Sequence, residues 1–158
     1  MSNIIPFLPG MTPTTIFEEE VTPGRLSALL DMAFIDHKID EDGDVYVTDG
    51  VDFPLWISIE TRRKLVVLFT YCSVGDQPER NWLAEVNEMN GQIAVPQFAY
   101  RGNAIWGGHW ISYDGGLNVR QFVKMLRLFG GAFRAGLQLH EGETVASSEQ
   151  PLSNGIPS

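Results

Sequence analysis

His109 stands between two glycines and a tryptophan in the stretch NAIWGGHWISYDGG. A histidine can act as a general base or a metal ligand, because its ring gains and loses a proton near neutral pH. However, His37, His109 and His140 are far apart, and none has the spacing of a paired metal site such as HExxH. Paired glycines inside a strand are instead typical of a bulge or bend. The pattern therefore favours a structural role for His109 and for its neighbours Gly107 and Gly108.

An acidic run from Asp40 to Asp44 has part of the pattern of a calcium-binding loop. Asp40, Asp42 and Asp44 have the spacing of the first three ligand positions. The sixth position is Val45 where such loops need glycine, and the twelfth is Val51 where they need glutamate. The run therefore predicts an acidic turn, and not a calcium site.

The remaining reactive residues do not form a known catalytic pattern. Cys72 is the single cysteine, so no internal disulfide can form, and it lies in an apolar segment where its thiol is expected to be inert. The sequence contains neither a G-x-S-x-G elbow nor a phosphate-binding G-x-x-x-x-G-K-[ST] loop. An enzyme would need a titratable pair such as His37 and Asp44 to converge in a cleft. We expect no enzymatic activity, no metal and no cofactor.

Length and charge narrow the class of partner. The 158 residues suit a single domain, and the net charge of −9 argues against nucleic-acid binding, which needs concentrated Lys and Arg. No apolar run approaches the roughly 18 residues of a membrane span, and the N-terminus lacks a basic signal-peptide region. We therefore expect a cytoplasmic protein. Residues 1–60 carry twelve acids and two bases, whereas residues 61–140 carry five acids and nine bases, and this polarity can orient a partner.

The chain divides into three parts by composition. Residues 1–20, with several prolines, are predicted to form an irregular arm, and residues 141–158 a polar tail. Residues 21–140 are predicted to form one α+β domain. Its helices are expected near 23–36 after an N-cap at Thr22, after an N-cap at Asp76, and after an N-cap at Asn118.

Five segments have the alternation or the apolar run of strands: 45–48, 53–60, 64–72, 94–100 and 104–113. The element order is α-β-β-β-α-β-β-α. Strands joined by short turns pair antiparallel, since parallel crossovers need a dozen or more residues. Helices with a single apolar stripe must pack on a sheet, so they are expected mainly on one face of a five-stranded antiparallel sheet.

The opposite face of that sheet is the predicted binding surface. Apolar residues of three strands are expected there, which leaves a large exposed apolar patch, and such a patch marks a partner, a ligand groove or a dimer interface. The residues assigned to it are Trp56, Val66, Leu68, Trp106 and Trp110. The alternative is that the N-terminal arm or the tail folds over this face.

Two helices carry further candidate residues. Met125 and Leu128 lie off the apolar stripe of the last helix, so they are a predicted dimer contact. The helical angle of Asn90 places it within the apolar stripe of the second helix, where a buried amide needs partners. We expect Asn90 to cap the turn into the following strand.

The segment AEVNEMNGQIAVPQF, a helix closing on N-x-x-N before a strand, resembles the YbjN-type family of bacterial sensory-transduction regulators. The segments TPGRLSALLD, EDGDVYV and GLNVRQFVKMLRLF are also similar, so the resemblance covers about residues 21–135. It implies a fold like that of type III secretion chaperones, which are dimers that hold extended segments of other proteins, and no assigned enzymatic activity. Asn87 and Asn90 carry over as structural markers.

Together these observations predict a non-enzymatic protein-binding regulator or chaperone-like module, acting in bacterial signalling or stress response. It is expected to be a homodimer with a protein partner whose identity the sequence leaves open. The alternative is a small-molecule sensor with a pocket near His109 and the tryptophans. That alternative requires an enclosed cavity of at least ~300 Å³ near His109.

Overall fold

The computed structural model describes residues 14–139. Helix α1 spans Pro23–Met32 and begins as predicted, because the Thr22 hydroxyl oxygen accepts a hydrogen bond from the backbone N–H of Arg25 at 3.2 Å. It ends four residues before the predicted boundary. Phe34 has a left-handed backbone with φ of 57°, a conformation that terminates helices.

The other two helices are α2, Trp82–Gln92, and α3, Val119–Leu139. The N-cap of α2 is Asn81, whose side-chain oxygen accepts from Ala84 N at 3.2 Å, so the predicted start at Asp76 was wrong. The predicted cap of α3 is confirmed, since Asn118 Oδ1 accepts from the N–H of Gln121 at 2.9 Å. A short 3₁₀ helix over Glu18–Glu20 precedes α1.

Eight strands are present among the described residues: β1 Thr15–Ile16, β2 His37–Ile39, β3 Val45–Val47, β4 Leu55–Glu60, β5 Leu65–Ser73, β6 Gln97–Arg101, β7 Ala104–Ser112 and β8 Leu117–Asn118. Six of them form one antiparallel sheet in the spatial order β2-β3-β4-β5-β7-β6. Strands β1 and β8 form a separate antiparallel pair.

The α+β class and the antiparallel pairing are confirmed, but the predicted five strands and the element order were wrong. The additional sheet strand, β2, is a three-residue edge strand that forms a hairpin with β3. The aspartates and the glycine that follow it dominate the local composition, so the sequence predicts a turn there and not a strand. Strands β1 and β8 have two residues each. Strands this short show no alternation in the sequence, so the pair was not predicted.

All three helices lie on the same face of the six-stranded sheet. One apolar cluster joins α1, α3 and strands β3, β4 and β5, with Leu26, Leu30, Leu68, Phe122 and Phe129 at most 1% exposed. A second cluster joins α2 and the far half of α3 to β5, β6 and β7, and it includes Trp82, Met89, Cys72, Phe98 and Phe133. Helix α3 therefore runs across both halves of the core.

The predicted division into arm, domain and tail falls partly outside the described residues. Residues 1–13 and 140–158 are not described, so the tail over 141–158 and His140 lie outside. Residues 14–20, predicted as part of an irregular arm, contain β1 and the 3₁₀ helix. Between residues 14 and 139 no helix has the length and apolar character needed to span a membrane.

Candidate binding surface

The sheet face opposite the helices carries a continuous row of aromatic rings. We call Tyr46, Trp56, Phe69, Tyr71 and Trp106 the aromatic ladder. The Tyr46 and Trp56 rings stack at 4.6 Å between centroids, and the Trp56 ring also lies 5.8 Å from the rings of both Phe69 and Tyr71. Tyr71 then stacks on Trp106 at 4.8 Å. Each stacked pair contributes roughly 0.5–1.5 kcal/mol beyond its buried area.

A cation lies at each end of the aromatic ladder. The Lys38 ammonium is 5.6 Å from the centroid of Tyr46, and the Arg101 guanidinium is 5.5 Å from the centroid of Trp106. The indole N–H of Trp106 donates to the backbone oxygen of Arg101 at 3.3 Å, which orients the terminal ring. Lys38 is in β2 and Arg101 is in β6, so the ladder with its two cations spans the whole sheet, about 24 Å at the usual strand spacing.

Strand register explains why these side chains meet. Tyr46 is directly opposite Trp56, Trp56 is opposite Phe69, and Tyr71 is opposite Trp106. Residues directly opposite in neighbouring strands point to the same face, with Cβ atoms only about 4.5–5.5 Å apart. The period of two along β5 adds Tyr71 to the face that holds Phe69.

Two residues at the centre of this face are buried, and one flank is exposed. Trp56 and Val67 are 8% and 5% exposed, although no helix within residues 14–139 covers this side. Trp110 is 47% exposed beside them, directly opposite Val67. The expectation that Trp56 belongs to an exposed apolar patch was therefore wrong, and the apolar area open to a partner on this side lies at Trp110 and at the partly exposed rings around Trp56.

The structure corrects the predicted composition of this surface. Val66 and Leu68 are fully buried in the core beneath the helices, so their assignment to the opposite face was wrong. Strand β5 is apolar on both faces, and its sequence alone therefore does not tell which set of side chains faces the helices. The assignment of Trp56, Trp106 and Trp110 to the open face agrees with the strand pairing. Sequence reasoning missed Tyr46, Phe69 and Tyr71; the aromatic residues at alternate positions 69 and 71 were the available signal.

The paired glycines lie in a regular strand. Pairing of β5 with β7 continues without interruption through Gly107 and Gly108, so the bulge or bend considered from the sequence is absent there. A Cβ at Gly107 would lie 2.6 Å from Cδ2 of Phe133, on the helix side. A Cβ at Gly108 would lie 2.9 Å from Cη2 of Trp110, on the open side. Each glycine makes room for an aromatic ring, one in the core and one on the binding surface.

Asn90 joins α2 to the edge strand β6. Its Nδ2 donates to the backbone oxygen of Phe98 at 3.0 Å, and its Oδ1 accepts from the Phe98 N–H at 2.7 Å. The prediction that Asn90 is bound where the chain enters the next strand is confirmed, but Asn90 is exposed and lies outside the apolar stripe. Its amide occupies backbone groups of Phe98 that an added strand would need. Asn87, the other marker, is exposed on the same helix.

We expect Asn90→Ala to lower the free energy of unfolding by about 1–2 kcal/mol, because two hydrogen bonds to one backbone residue are lost at a site that water can reach. Asn87→Ala is the matched control, since it removes an exposed amide from the same helix, and it should change stability by less than ~0.5 kcal/mol. Urea unfolding followed by circular dichroism measures both. Equal losses for the two variants would contradict the anchoring role of Asn90.

The predicted pocket near His109 is an open cleft of about 380 Å³ on the side of β6 and β7. Its lining residues are Asn90, Ile93, Ala94, Gln97, Gly108, His109 and Trp110. Trp110 is the one tryptophan in this lining, and Trp56 and Trp106 are not part of it. The cleft therefore has the required volume, but it is open to solvent instead of enclosed.

Burial lowers the pKa of His109 below its ordinary value of 6.5. The unfolded chain then takes up a proton at a higher pH than the folded chain does. The free energy of unfolding should therefore be highest, as far as His109 determines it, above about pH 6.5. It should fall as the pH decreases from there to the pKa of His109 in the folded chain. We expect a smaller loss in His109→Gln over the same interval. Urea unfolding at about pH 7.5 and pH 5 measures the difference, and identical pH dependence of the two proteins would contradict it.

The other titratable candidates serve the fold. His37 contacts Ser27 Oγ through Nε2 at 2.6 Å and the Ile35 carbonyl through Nδ1 at 2.8 Å, so both ring nitrogens are engaged. Desolvation raises the pKa of Asp44, with a smaller lowering by its hydrogen bond to Ser58. Cys72 is buried. Within residues 14–139 no three His, Cys, Asp or Glu side chains are grouped to hold a metal ion.

The two predicted dimer residues have different surroundings. Leu128 is 50% exposed on α3. Met125 is partly buried and packs against the core cluster of α1 and α3, so it has less side chain available to a second chain. Arg127, next to Leu128, donates to the Ala33 carbonyl at 3.3 Å and ties this part of α3 to the end of α1.

Comparisons with known proteins agree with this fold. No protein with a curated description matches the chain. Among solved structures, that of Escherichia coli YbjN, described as "a putative transcription regulator", superposes with a TM-score of 0.57 and 14% identity, covering 72% of this chain and 86% of that one. At that identity the likeness shows the fold alone. The sequence model of the YbjN family, described as "Putative bacterial sensory transduction regulator", matches residues 22–135. This match extends over most of the chain, which therefore belongs to the YbjN family.

Proposed function

We propose that this chain is a non-enzymatic, protein-binding regulator of the bacterial cytoplasm that holds an extended segment of a partner protein on the aromatic ladder. The observation that carries the proposal is the row of stacked rings on the sheet face that the described helices leave open. Aromatic residues are the side chains most enriched at the centres of protein interfaces.

The chemistry of the surface indicates the kind of segment that fits. The accessible part of the surface consists of the partly exposed rings of the ladder and of Trp110, so it favours apolar or proline side chains. Lys38 and Arg101 are exposed at the two ends, so carboxylates about 20 Å or more apart along the segment would be attracted there. We therefore expect a partner segment with an apolar, extended centre and acidic flanks.

Addition of the partner as an extra strand is less suited to this sheet. Edge strand β2 has three residues, and at the other edge the backbone groups of Phe98 are bonded by Asn90. Pro96, next to that edge strand, has no backbone N–H to donate. The proposed contact is therefore through the face, as a chaperone-like module holds a guest, and not through backbone pairing.

The test is a selection of short peptides from a random library on the immobilised full chain. The selected peptides should carry apolar or proline centres with acidic ends. Trp106→Ala should weaken their binding at least ~10-fold, since a tryptophan in an interface commonly accounts for 2 kcal/mol or more. Lys38→Glu and Arg101→Glu should each also weaken binding. The loss of affinity should be larger at low salt than at high salt, because salt screens exposed charges.

Leu83→Ala is the matched control, because Leu83 is 68% exposed on α2 and lies away from the aromatic ladder. It should leave peptide binding unchanged. The same selection is repeated with Phe7→Asp in the full chain. This variant is included because the sequence leaves open that the N-terminal arm covers this face. Failure to select any peptide with either protein, or peptides equally affected by Trp106→Ala and Leu83→Ala, would remove the proposed binding surface.

A small-molecule sensor remains the second candidate, because the open cleft of about 380 Å³ beside His109 is within the usual size of ligand sites. Its lining mixes amide, imidazole and indole groups. A ligand there should shift the ring proton signals of His109 and should be lost in Gln97→Ala. Screening a fragment library by nuclear magnetic resonance decides this candidate, and an unshifted His109 throughout would discard it.

We also propose that the chain forms a homodimer through α3, based on the exposed Leu128 beside a row of basic residues. The basic side chains of this helix are Arg120, Lys124, Arg127 and Arg134, all exposed. Light scattering after size exclusion should give twice the 17.6 kDa chain mass for the natural protein. Leu128→Glu should give the chain mass, and a monomer for both proteins contradicts the dimer.

A further inference from the structure

We propose that the cleft beside His109 binds the carboxyl end of an extended polypeptide, which pairs with residues 109–112 of β7 as a short added strand. This inference rests on the second candidate function, the sensor, and deepens it, because it names the class of ligand that the cleft takes. The contact differs from that on the aromatic ladder, since it uses an edge of β7 and not the face of the sheet.

Strand β6 covers only part of the outer edge of β7. Its five residues pair with residues 104–108, and the last of these pairs joins Gln97 to Gly108. On its other side β7 pairs with β5 as far as Ser112. Within the described chain, residues 109–112 therefore have a neighbouring strand on one side only. This uncovered edge is separate from the edges of β2 and β6, where addition of a strand is less suited.

The backbone groups of Trp110 and Ser112 point to the uncovered edge. The Tyr113 N–H donates to the Lys64 carbonyl at 2.9 Å, so the backbone groups of Tyr113 face β5. Backbone groups alternate in direction along a strand, and those of Ser112 and Trp110, one and three positions earlier, therefore face away from β5. Between residues 14 and 139 no backbone group pairs with them at this edge. Each of the two residues thus offers one N–H and one C=O to an added strand.

The start of β6 limits the ligand to a chain end. All neighbouring strands of the six-stranded sheet are antiparallel, and this is the slightly more stable kind of pairing. A strand added antiparallel to β7 runs in the direction of β6, and its carboxyl end reaches Gln97, where β6 begins. A longer chain would meet β6 there. The uncovered edge has room for about four ligand residues, or ~13 Å at the strand rise.

The cleft offers hydrogen-bond donors to a terminal carboxylate. Gln97 is exposed and carries an amide, and Asn90 uses one of its two amide N–H groups on the backbone oxygen of Phe98. The imidazole of His109 is the third polar side chain of the lining. No lining residue is acidic, although the chain as a whole has a net charge of −9. A carboxylate at this place therefore meets donors and no nearby lining carboxylate.

Both sides of the uncovered edge offer apolar contacts to ligand side chains. Trp110 is 47% exposed on the open face, and a ligand residue paired with it would point to the same face. Ile111 and Ile93 are partly buried on the helix side. Successive ligand side chains alternate between these two sides. We therefore expect apolar side chains at the last positions before the carboxyl end.

The experiment selects pentapeptides on the immobilised full chain from a random library whose members have a labelled amino end and a free carboxyl end. Fluorescence polarisation then gives the affinities of the selected peptides. We expect apolar side chains at their last positions. Amidation of the carboxyl end should weaken binding at least ~10-fold, because the charge that the amide donors bind is lost. Gln97→Ala should weaken binding of the free acid and leave binding of the amide unchanged.

Methylation of single backbone nitrogens of the peptide tests the added strand. A methyl group on a nitrogen that pairs with β7 should weaken binding at least ~10-fold, whereas methylation of the adjacent residue, whose N–H points away, should have less than a ~3-fold effect. Ser112→Pro removes an N–H of the protein that faces the ligand, at a position where an edge tolerates proline. Ser112→Ala is the matched control, because it loses the same hydroxyl and keeps the N–H. Only Ser112→Pro should weaken binding, and the methylated peptides give the answer if this variant does not fold.

Alternating effects of methylation together with a requirement for the free carboxylate support the proposal. The absence of any selected peptide, equal binding of acid and amide, or equal effects at all methylated positions overturns it. Trp106→Ala should leave these peptides bound; loss of binding in this variant would place them on the aromatic ladder and would also overturn the proposal. Fragments that shift the His109 signals without any peptide binding keep the sensor and remove the chain-end ligand. Failure of fragments and peptides alike removes both.

Discussion

Gly107→Ala is expected to lower the free energy of unfolding by about 2–3 kcal/mol, near the upper end for an overpacked core. The added Cβ would lie 2.6 Å from Cδ2 and 2.9 Å from Cε2 of Phe133, and 3.2 Å from Pro96. Phe133 cannot move aside easily, because it is fully buried between the rings of Phe53 and Phe98, whose centroids are 4.8 and 5.6 Å away. The gain of roughly 0.5–1 kcal/mol from replacing a strand glycine is smaller than this clash.

Gly108→Ala is the matched control, one residue along the same strand. Its Cβ would meet the far edge of the Trp110 ring at 2.9 Å, and that ring is 47% exposed and free to turn toward solvent. We expect a change in stability of less than ~1 kcal/mol, together with a change in Trp110 fluorescence. Urea unfolding of both variants provides the comparison. A Gly107→Ala protein as stable as Gly108→Ala would show that Phe133 does not limit the sheet-to-helix spacing.

Trp56→Ala is expected to cost about 3–5 kcal/mol of stability, the range for deleting a large buried aromatic side chain. Trp56 is 8% exposed and stacks on three rings, namely Tyr46, Phe69 and Tyr71. Its removal leaves a gap in the centre of the aromatic ladder that the flanking rings, each fixed on its own strand, can fill only in part. The proposed binding surface thus also contributes substantially to the stability of the sheet.

Trp110→Ala serves as the control for Trp56→Ala, because it removes the same side chain from the same face at a half-exposed position. Its expected cost is below ~1 kcal/mol. The two proteins are compared by urea unfolding, with circular dichroism as the signal. If they lose equal stability, then the ladder is not a packed unit. Because Trp56→Ala weakens the fold itself, Trp106→Ala and Trp110→Ala are the better variants for binding measurements.

The two glycine variants separate the faces of one strand. In β7, Gly107 faces α3 and Gly108 faces the binding surface, although they are neighbours in sequence. We therefore expect variants on the helix side to change stability without a specific effect on binding. Variants at the half-exposed positions of the open side should change binding with little loss of stability.

The local structure was largely determined by the sequence. The caps Thr22 and Asn118 fixed the starts of α1 and α3, because capping depends on side-chain oxygens within three residues of the groups they bind. The five predicted strands and their antiparallel pairing followed from short turns and from alternation or apolar runs. The family followed from local segments such as AEVNEMNGQIAVPQF, since these lie within residues 22–135.

Tertiary structure decided which side chains form the binding surface. Strand β5 is apolar at nearly every position, so alternation along it does not distinguish a buried face from an exposed one. Val66 and Leu68 face the helices, and Phe69 and Tyr71 face the other side, because of where the helices pack. The stacked rings come from five side chains on four strands, and register across separate strands brings them together. Sequence determined the alternation within each strand because alternation is local. Pairing and helix placement determined the surface because they depend on contacts between residues far apart in the chain.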